Sequence, residues 1–271
     1  LPNGSTTLSD YRYNPSSTSG TLTISTKALT MVYTGDTADK VGTTAKLSVQ
    51  LTAAGGTATS FTNAQVQFTV LQGATQVNQQ TVPISASGVA SAQVPNLASG
   101  IYQVQTALVG GYYTAAPLNL MLAVYDPTIK AQVTGSSAIN SPAGAYPANP
   151  SLTGSAIFGL NAGYNSGQAH GQVSFQFQAA NFNFNASTLS WVVITGARAE
   201  YKGTGTVNGT GSYNFIVSVI DGSQLTPVQP DYFRIKVWDP ASGTVLYDCQ
   251  MGSPDYADPT TPANGGNITV H

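Results

Sequence analysis

Apolar and polar residues alternate with a period of two along most of this chain. The stretch KLSVQL, residues 46–51, places its three apolar side chains on one face of an extended strand and its polar side chains on the other. The same alternation recurs in QVQFTV (65–70), YQVQTAL (102–108) and VSFQFQA (173–179). No window repeats apolar residues at helical spacing over three turns. The pattern therefore predicts half-buried strands and an all-β protein.

Turn-forming residues separate these strands. Clusters rich in Gly, Ala, Ser, Thr, Asn and Pro, such as residues 52–60 and 140–151, mark loops. The pair Asn208-Gly209 predicts a type I′ hairpin, because both central residues of that turn need a positive φ. Asp239-Pro240 predicts the start of a second hairpin turn, in which Gly243 takes the left-handed position.

The length of 271 residues suits two domains of ordinary size. The best boundary is VYDPTIK, residues 124–130, where a strand-like run meets an Asp-Pro pair and a new pattern begins. We therefore predict two β-sandwich domains in tandem, at residues 21–126 and 127–271. An extended N-terminal arm, residues 1–20, precedes them.

The end of the first predicted domain carries a recognisable set of motifs. Gly-Val-Ala at 88–90 leads into a strand, Gly-x-Tyr-x-Val at 100–104 starts the next, and a Gly-aromatic loop at 110–113 precedes the last. In this order the motifs resemble those of bacterial Ig-like repeat domains. The resemblance implies an Ig-like sandwich and no particular activity, since such domains serve as spacers, adhesins and binding modules.

The second predicted domain resembles another family, the C-terminal β domain that follows Ig-like or anchor-type repeats in large secreted bacterial proteins. The similarity rests on INSPAGAYPANPSLTGSAIFGL, on FQFQAANFNFNASTLSWVVITGARAEYKGTGTVNG, on DYFRIKVWDPASGTVLYD and on DPTTPANGGNITVH. It implies an extracytoplasmic β-sandwich and carries no catalytic residues over. The chain departs from the family at Cys249, where that family usually has Asn.

Charge is scarce. Charged residues make up 7% of the chain against a usual share of about a quarter, so Thr, Ser, Asn, Gln, Gly and Tyr must build the surface. Such a surface indicates an extracellular or cell-surface location. With a net charge of -2 and nine scattered Lys and Arg, neither nucleic acid nor membrane insertion is expected. We interpret Leu1 as the start of a processed mature form.

The residues available for catalysis are few. The two histidines are His170, in a Gly-rich stretch, and His271, the last residue. A nucleophilic Cys249 would need His170 beside it, and the more ordinary interpretation is an unreactive thiol near a hairpin end. The sole Glu, Glu200, has Arg198 and Lys202 two positions away on the same strand face, which predicts an ionised, salt-paired carboxylate. No enzyme is predicted, and no catalytic residue is assigned.

The stretch DCQMGSPDYADP, residues 248–259, concentrates three carboxylates and the only cysteine. Asp248, Asp255 and Asp258, together with loop carbonyls, form a candidate calcium site, since calcium prefers hard oxygen ligands in flexible loops. The spacing is not that of an EF-hand. The alternative is a polar turn whose carboxylates cap backbone amides. Calcium is the only cofactor for which the sequence offers candidate ligands.

Four Asn-x-Ser/Thr sequons and several aromatic residues are candidates for contacts at the surface. The sequons, which a Ser/Thr/Asn-rich chain also produces by chance, are Asn3, Asn185, Asn208 and Asn267. The candidates for an exposed aromatic strip that binds glycans are Tyr112, Tyr113 and Trp191.

The N-terminal residues suggest a route to assembly. In TLTIS, residues 21–25, Leu22 and Ile24 alternate with polar neighbours, so the segment has the pattern of a strand that adds to a sheet edge. If that edge belongs to another copy, the chain forms fibres; the alternative is an arm folded back on its own domain. The sequence thus predicts a structural or adhesive surface protein whose partners are other copies, surface proteins or glycans. A carbohydrate-binding accessory module is the alternative.

Overall fold

The computed structural model describes residues 26–53, 61 and 63–271, and it confirms the all-β prediction. Within those residues the only helical segments are short 3₁₀ turns at Gln178–Ala180 and Gly222–Gln224. No helix in the described part of the chain has the length and apolar character needed to cross a membrane.

Nine strands build what we call the N-terminal sandwich, and they form two sheets. In chain order the strands are β1 (Lys27–Tyr33), β2 (Ala38–Lys40), β3 (Thr44–Ala53), β4 (Gln65–Gln72), β5 (Thr75–Pro83), β6 (Val89–Pro95), β7 (Gly100–Val109), β8 (Tyr113–Thr114) and β9 (Leu118–Tyr125). One sheet has the order β6-β3-β1-β8 and the other β2-β9-β7-β4-β5. Their inner faces supply an apolar core drawn from residues 29–124.

The predicted alternation is visible in this core. Leu47 and Val49 on β3 have no exposed surface, and neither do Val66 and Phe68 on β4, whereas the residues between them on β4 face outward. Burying each such side chain stabilises the fold by about 1.5–3 kcal/mol relative to leaving it exposed. Apolar packing between two sheets therefore holds the N-terminal sandwich together.

The remaining nine strands form one antiparallel meander, which we call the C-terminal sheet. They are β10 (Gln132–Ser141), β11 (Gly154–Asn165), β12 (Gln168–Phe177), β13 (Phe182–Thr195), β14 (Arg198–Val207), β15 (Thr210–Ile220), β16 (Tyr232–Trp238), β17 (Val245–Asp248) and β18 (Gly266–Val270). Each strand from β10 to β17 pairs with its neighbour in sequence, and β18 returns to pair with β10.

This long sheet folds over on itself, so that its two halves face each other across one core. Phe158 on β11 stacks on Phe233 on β16 with ring centroids 3.9 Å apart, and Phe175 on β12 lies 4.7 Å from the ring of Tyr247 on β17. The loop between β10 and β11 also reaches β17, because the amide of Asp248 donates to the carbonyl of Ala145, 2.9 Å away. Two facing halves thus enclose a core as the two sheets of a sandwich do, although here they belong to a single sheet.

Both predicted hairpin turns are present. Asn208 and Gly209 have φ of 51° and 74° and join β14 to β15. In the second turn the carboxylate of Asp239 accepts from the amide of Ala241 at 2.8 Å, and Gly243 has φ of 71°. Local residue choice is sufficient to specify these turns, which is why the sequence predicted them correctly.

A third apolar cluster joins the two structures. Trp191, Val193 and Ile216 on the outer face of the C-terminal sheet pack with Ala123 of β9, and partly buried residues such as Met121 surround them. Trp191 is 4% exposed and Ala123 is fully buried. The outer face of β13–β16 is therefore covered in part by the N-terminal sandwich.

Candidate functional site

The charged residues of the C-terminal sheet gather on that same outer face, beneath the loop 249–262. On β16 the side chains of Phe233, Ile235 and Val237 point into the core, so the period of two sends Arg234 and Lys236 to the opposite face. Cross-strand pairing then aligns residues of neighbouring strands in rows. Glu200, Ser218 and Arg234 form one row across β14, β15 and β16.

Arg234 is the centre of this cluster. Its side chain is 2% exposed, and it donates to both carboxylate oxygens of Asp248, Nε to Oδ1 at 3.1 Å and Nη2 to Oδ2 at 2.9 Å. It also donates to the carbonyls of Pro254 at 2.7 Å and Ser253 at 2.9 Å. A buried guanidinium needs such a full set of acceptors, and the loop supplies half of them. Arg234 therefore fixes the loop against the sheet.

The other two loop carboxylates are paired in the same way. Asp255 accepts from Lys236 Nζ at 2.8 Å and lies 3.7 Å from Arg234 Nη2. Asp258 accepts from Arg198 Nη1 at 2.5 Å, and Arg198 also donates to the loop carbonyl of Tyr256. Three cations of the sheet thus hold Asp255 and Asp258 of the loop and Asp248 at the end of β17.

These contacts answer the question raised by residues 248–259. The calcium hypothesis needs Asp248, Asp255 and Asp258 to converge on a metal ion, whereas the structure places an arginine or lysine nitrogen against each of them. Within the described residues no group of three or more His, Cys, Asp or Glu is arranged to hold a metal ion. The carboxylates act as counter-ions for the sheet, and the backbone-capping alternative is realised only at Asp248, which accepts from the Gln250 amide at 2.9 Å.

Glu200 differs from its prediction. It does pair with Arg198, at 2.5 Å, but its side chain has no exposed surface. Burial raises the pKa of Glu200 to about 7, because loss of hydration outweighs the opposing charge and hydrogen bond of Arg198. The predicted pairing with Arg198 is therefore present, while burial works against the charged form of the carboxyl. The Oε1 atom of Glu200 has no hydrogen-bond partner among the described residues.

Lys202, the second predicted partner of Glu200, lies over an aromatic ring instead. Its Nζ is 5.5 Å from the ring centroid of Trp238, and Lys236 Nζ is 5.2 Å from the same centroid. Burial lowers the pKa of Lys202, the charge of Asp255 opposes that shift, and the charge of Lys236 adds to it. Two cations therefore share one indole next to the interface with the N-terminal sandwich.

A crevice of about 520 Å³ borders this cluster, and both parts of the molecule line it. Asn119 of β9 lies on one side, and Lys236, Asp248 and Tyr256 lie on the other. Its charged groups are already engaged in the ion pairs described above, so the crevice contains no unpaired lysine or aspartate of the described chain.

Cys249 and His170 lie in separate environments. Cys249 is 3% exposed within the core of the C-terminal sheet, and burial raises the pKa of its thiol to about 11. His170 is exposed on β12, where it pairs with Gly163 of β11. No hydrogen bond links the two among the described residues. A thiol in this setting is protonated at neutral pH and is a poor nucleophile.

The three aromatic candidates for ligand binding do not form a strip. Tyr112 is 63% exposed, and Tyr113 is partly buried with its ring centroid 5.9 Å from that of Phe61. Trp191 was placed wrongly by the sequence analysis, since it is buried in the cluster between the two parts of the molecule. Its large apolar surface is used for packing, which the strand pattern alone could not distinguish from exposure on an outer face.

Three of the four sequons lie in the described part of the chain. Asn185 is exposed on β13, and Asn267 is exposed on β18, where its amide donates to Thr269 Oγ1 at 2.5 Å. Asn208 uses its side chain in the turn: it accepts from the Asn183 amide at 3.0 Å and donates to the Asn181 carbonyl at 2.9 Å. Asn3 lies outside the described residues, as do the assembly candidates Leu22 and Ile24 and the arm 1–20.

No protein-family model matches the chain, and no curated protein matches it. The functional interpretation therefore rests on the chain's own residues and contacts.

The sequence analysis missed Arg234 and Lys236 as partners of the loop. The available signal was weak: cations at alternate positions on a predicted strand, followed by a loop with several Asp. Only the register between β16 and β17, which sets Lys236 opposite Asp248, shows that these charges share one face. That register depends on the turn between the two strands and on the register shift between Val237 and Trp238, which the alternation of side chains does not show.

Proposed function

We propose that this chain is a non-enzymatic extracellular surface protein with a structural or adhesive role, whose copies assemble by N-terminal strand donation. The observation that carries the proposal is the pairing of Asp248, Asp255 and Asp258 with arginine and lysine. The densest collection of ionisable groups in the sequence is used to attach a loop to a sheet. Such ion pairs confer rigidity and a defined shape, and they engage each of the three carboxylates with an arginine or lysine.

The joint between the two parts supports a structural role. Trp191 and Val193 are almost completely buried against the N-terminal sandwich, as is Ala123 on the opposite side of the joint. A buried apolar joint resists bending more than an exposed polar linker does. Two sandwich domains in tandem with such a joint fit a stiff surface module.

The composition supports an extracellular location. With 7% charged residues, the surface carries hydroxyl and amide groups that keep their protonation state at any ordinary pH. The ionisable thiol of Cys249 is buried, so an oxidising environment has little access to it. Both features suit a protein that works outside the cell.

The proposal is tested by the size of the purified full-length chain. Analytical ultracentrifugation and negative-stain electron microscopy should reveal multimers that persist on dilution. Deletion of residues 1–26, which leaves β1 intact, should yield monomers, whereas deletion of residues 1–20, which retains Leu22 and Ile24, should leave assembly intact. A full-length chain that stays monomeric at every concentration would contradict self-assembly.

A carbohydrate-binding accessory module remains the second candidate, and Tyr112 is the observation in its favour. An exposed tyrosine in a loop offers an apolar ring and a hydroxyl, the combination that sugars contact. A glycan array with the wild type and Tyr112→Ala decides the matter. Binding that disappears in the variant supports this function, and an array without any binding removes it.

A further inference from the structure

The sheet edges in the described part of the chain differ in how they are protected. An edge strand presents unpaired backbone N–H and C=O groups, which another strand can bind. Natural proteins block such edges with charged side chains, proline, short strands or covering groups. The three sheets differ in which of these features protect their edge strands.

The edges of the C-terminal sheet are capped by side chains or by other loops. On β18 the amide of Ile268 donates to Asp231 at 2.7 Å, and the amide of Val270 donates to Asp221 at 3.1 Å. On β17 the amide of Asp248 donates to a loop carbonyl, as described above. Added strands would have to displace these bonds.

In the N-terminal sandwich, three of the four edge strands offer little to a partner. The strands β2 and β8 span only Ala38–Lys40 and Tyr113–Thr114. On β6 the carbonyl of Gln93 accepts a hydrogen bond from the Gln80 side chain at 2.7 Å. This contact also shows that β5 and β6 lie on the same side of the sandwich.

The fourth edge strand, β5, is long, and although its Gln80 side chain reaches β6, no hydrogen bond among the described residues covers the outward backbone groups of residues 77–81. Its sequence TQVNQQTVP has no charged residue, and its only proline is the last residue, Pro83. Val77 is 42% exposed, and Gln79 and Thr81 are exposed as well. Among the described residues β5 pairs only with β4, so its other edge carries no strand.

The direction of the free backbone groups follows from Pro83. This residue lies opposite Gln65 of β4 and has no N–H to donate, and proline is tolerated where the backbone nitrogen faces away from the ladder. Backbone groups alternate in direction along an antiparallel strand. The N–H and C=O groups of Gln79 and Thr81 therefore point away from β4, as the nitrogen of Pro83 does.

We propose that the free edge of β5 is the acceptor for the N-terminal strand, residues 21–25, of a second copy. This inference rests on the proposed function and names the surface that strand donation would use. The segment TLTIS is uncharged, like β5, so pairing the two brings no charges together. Its alternation places Leu22 and Ile24 on one face, where they extend the inner face of the sheet beside Val82.

The positions of donor and acceptor favour an open chain of copies. Residues 1–25 lead into β1, which pairs with β8 at the edge of its sheet opposite β6. Since β5 lies on the β6 side, the start of β1, to which the donor segment is joined, and the acceptor strand belong to different sides of the sandwich. A contact between two different surfaces of identical molecules does not close on itself and produces a filament.

The test begins with the double variant Val77→Lys/Thr81→Lys in the full-length chain. Lysines on this edge strand should raise the concentration needed for assembly by about tenfold or more, because charged side chains on an edge strand disfavour its pairing with another strand. The matched control is Thr269→Lys on the capped strand β18, which should assemble like the wild type. Circular dichroism and the thermal midpoint check that each variant is folded.

A complementation experiment distinguishes this inference from the proposed function. The chain lacking residues 1–26 retains the acceptor but no donor, and the double lysine variant retains the donor but no acceptor. Mixed together they should form dimers and nothing larger. If the lysine variant assembles like the wild type while the deletion does not, strand donation stands and β5 is not its acceptor. If the wild type does not assemble at all, both proposals fail.

A peptide experiment covers the case in which the lysine variant does not fold. A fluorescent peptide of residues 1–26 should bind the chain lacking those residues, and an excess of unlabelled peptide should displace it. Single Thr81→Lys in the deleted chain should weaken that binding by about tenfold. Equal binding to both proteins would overturn the assignment of β5.

Discussion

The N-terminal sandwich and the C-terminal sheet differ in the polar residues that they bury. Both bury an apolar core between extended layers. The buried polar residues of the N-terminal sandwich are uncharged, namely Ser48, Thr69 and Thr106. Those of the C-terminal sheet include four ionisable ones, namely Glu200, Asp221, Arg234 and Asp248. Among the described residues, the N-terminal sandwich thus has no buried ion pair, whereas the C-terminal sheet has the pairs of Glu200 and Arg234.

This difference extends to the edges of the sheets. In the C-terminal sheet, Asp221 and Asp231 bind the amides of β18, and the ion pairs hold a long loop over the outer face. In the N-terminal sandwich, β5 has no such group. Carboxylates bind strand amides in both parts, on β2 and β3 of the N-terminal sandwich and on β18 of the C-terminal sheet, but among the described residues none binds the backbone of β5.

Removing the carboxylate of Asp248 should have the largest effect. Asp248→Ala leaves the buried guanidinium of Arg234 without its counter-ion, so the free energy of unfolding of the C-terminal sheet should fall by about 3–5 kcal/mol. Both tryptophans, Trp191 and Trp238, lie in that sheet, so their fluorescence during denaturation in urea reports on it selectively.

The control for this prediction is Asp258→Ala. Asp258 also pairs with an arginine, but its side chain is 68% exposed, and its loss should cost less than about 1 kcal/mol. Equal losses of unfolding free energy in the two variants would mean that the buried pair of Arg234 stabilises the fold no more than the exposed pair of Asp258 does. The contrast drawn between the two parts of the molecule would then lose its main support.

A second prediction concerns the apolar cluster that joins the two parts. Trp191→Ala removes the largest side chain of the shared cluster and should lower the free energy of unfolding by about 3 kcal/mol. Calorimetry should then resolve two transitions in place of coupled unfolding, since less apolar surface links the parts. The substitution Tyr112→Ala, at an exposed aromatic residue, should leave the calorimetric profile unchanged. A single unaltered transition in Trp191→Ala would show that the cluster does not couple them.

The parts of the structure that sequence could predict are those fixed by near neighbours. The alternation in residues 46–51 and the turn residues Asn208 and Gly243 act over a few positions, and the structure confirms the strands and turns they predict. Trp191 was placed wrongly and the contacts of Arg234 were not predicted, because the groups around them come from other strands and loops. A strand pattern tells which residues share a face and does not tell what covers that face.

The raised pKa of Glu200 should make the stability of the C-terminal sheet depend on pH. Its pKa in the folded chain, about 7, lies above the ordinary value of 4.5, so the folded state binds more protons than the unfolded state between those values. The contribution of this group to stability is therefore greatest below about pH 4.5, and it is lost as the pH rises through 7, by roughly 3 kcal/mol. Arg198 is the cation in direct contact, and Asp255 adds a smaller repulsion.

Glu200→Gln provides the comparison for that measurement. The amide has nearly the same shape and no charge, so the fall in stability of the C-terminal sheet between pH 5 and 8 should become shallower in urea titrations followed by tryptophan fluorescence. The N-terminal sandwich has no buried ionisable counterpart in the described residues, and its own transition should change little over this range. A slope that is identical in wild type and variant would assign the pH dependence to another group.

The smallest effect is expected at two asparagines with a left-handed backbone, one in each part. Asn208 has φ of 51° and Asn96 has φ of 58°, and glycine accepts both conformations without strain. Asn208→Gly should nevertheless lower stability by about 1 kcal/mol, because its side chain bonds to the backbone of Asn181 and Asn183. Asn96, whose side chain makes no hydrogen bond within the described residues, should tolerate the same change with almost no loss. Thermal unfolding of the two variants measures the difference, and similar midpoints would show that these side-chain bonds add nothing beyond the turn itself.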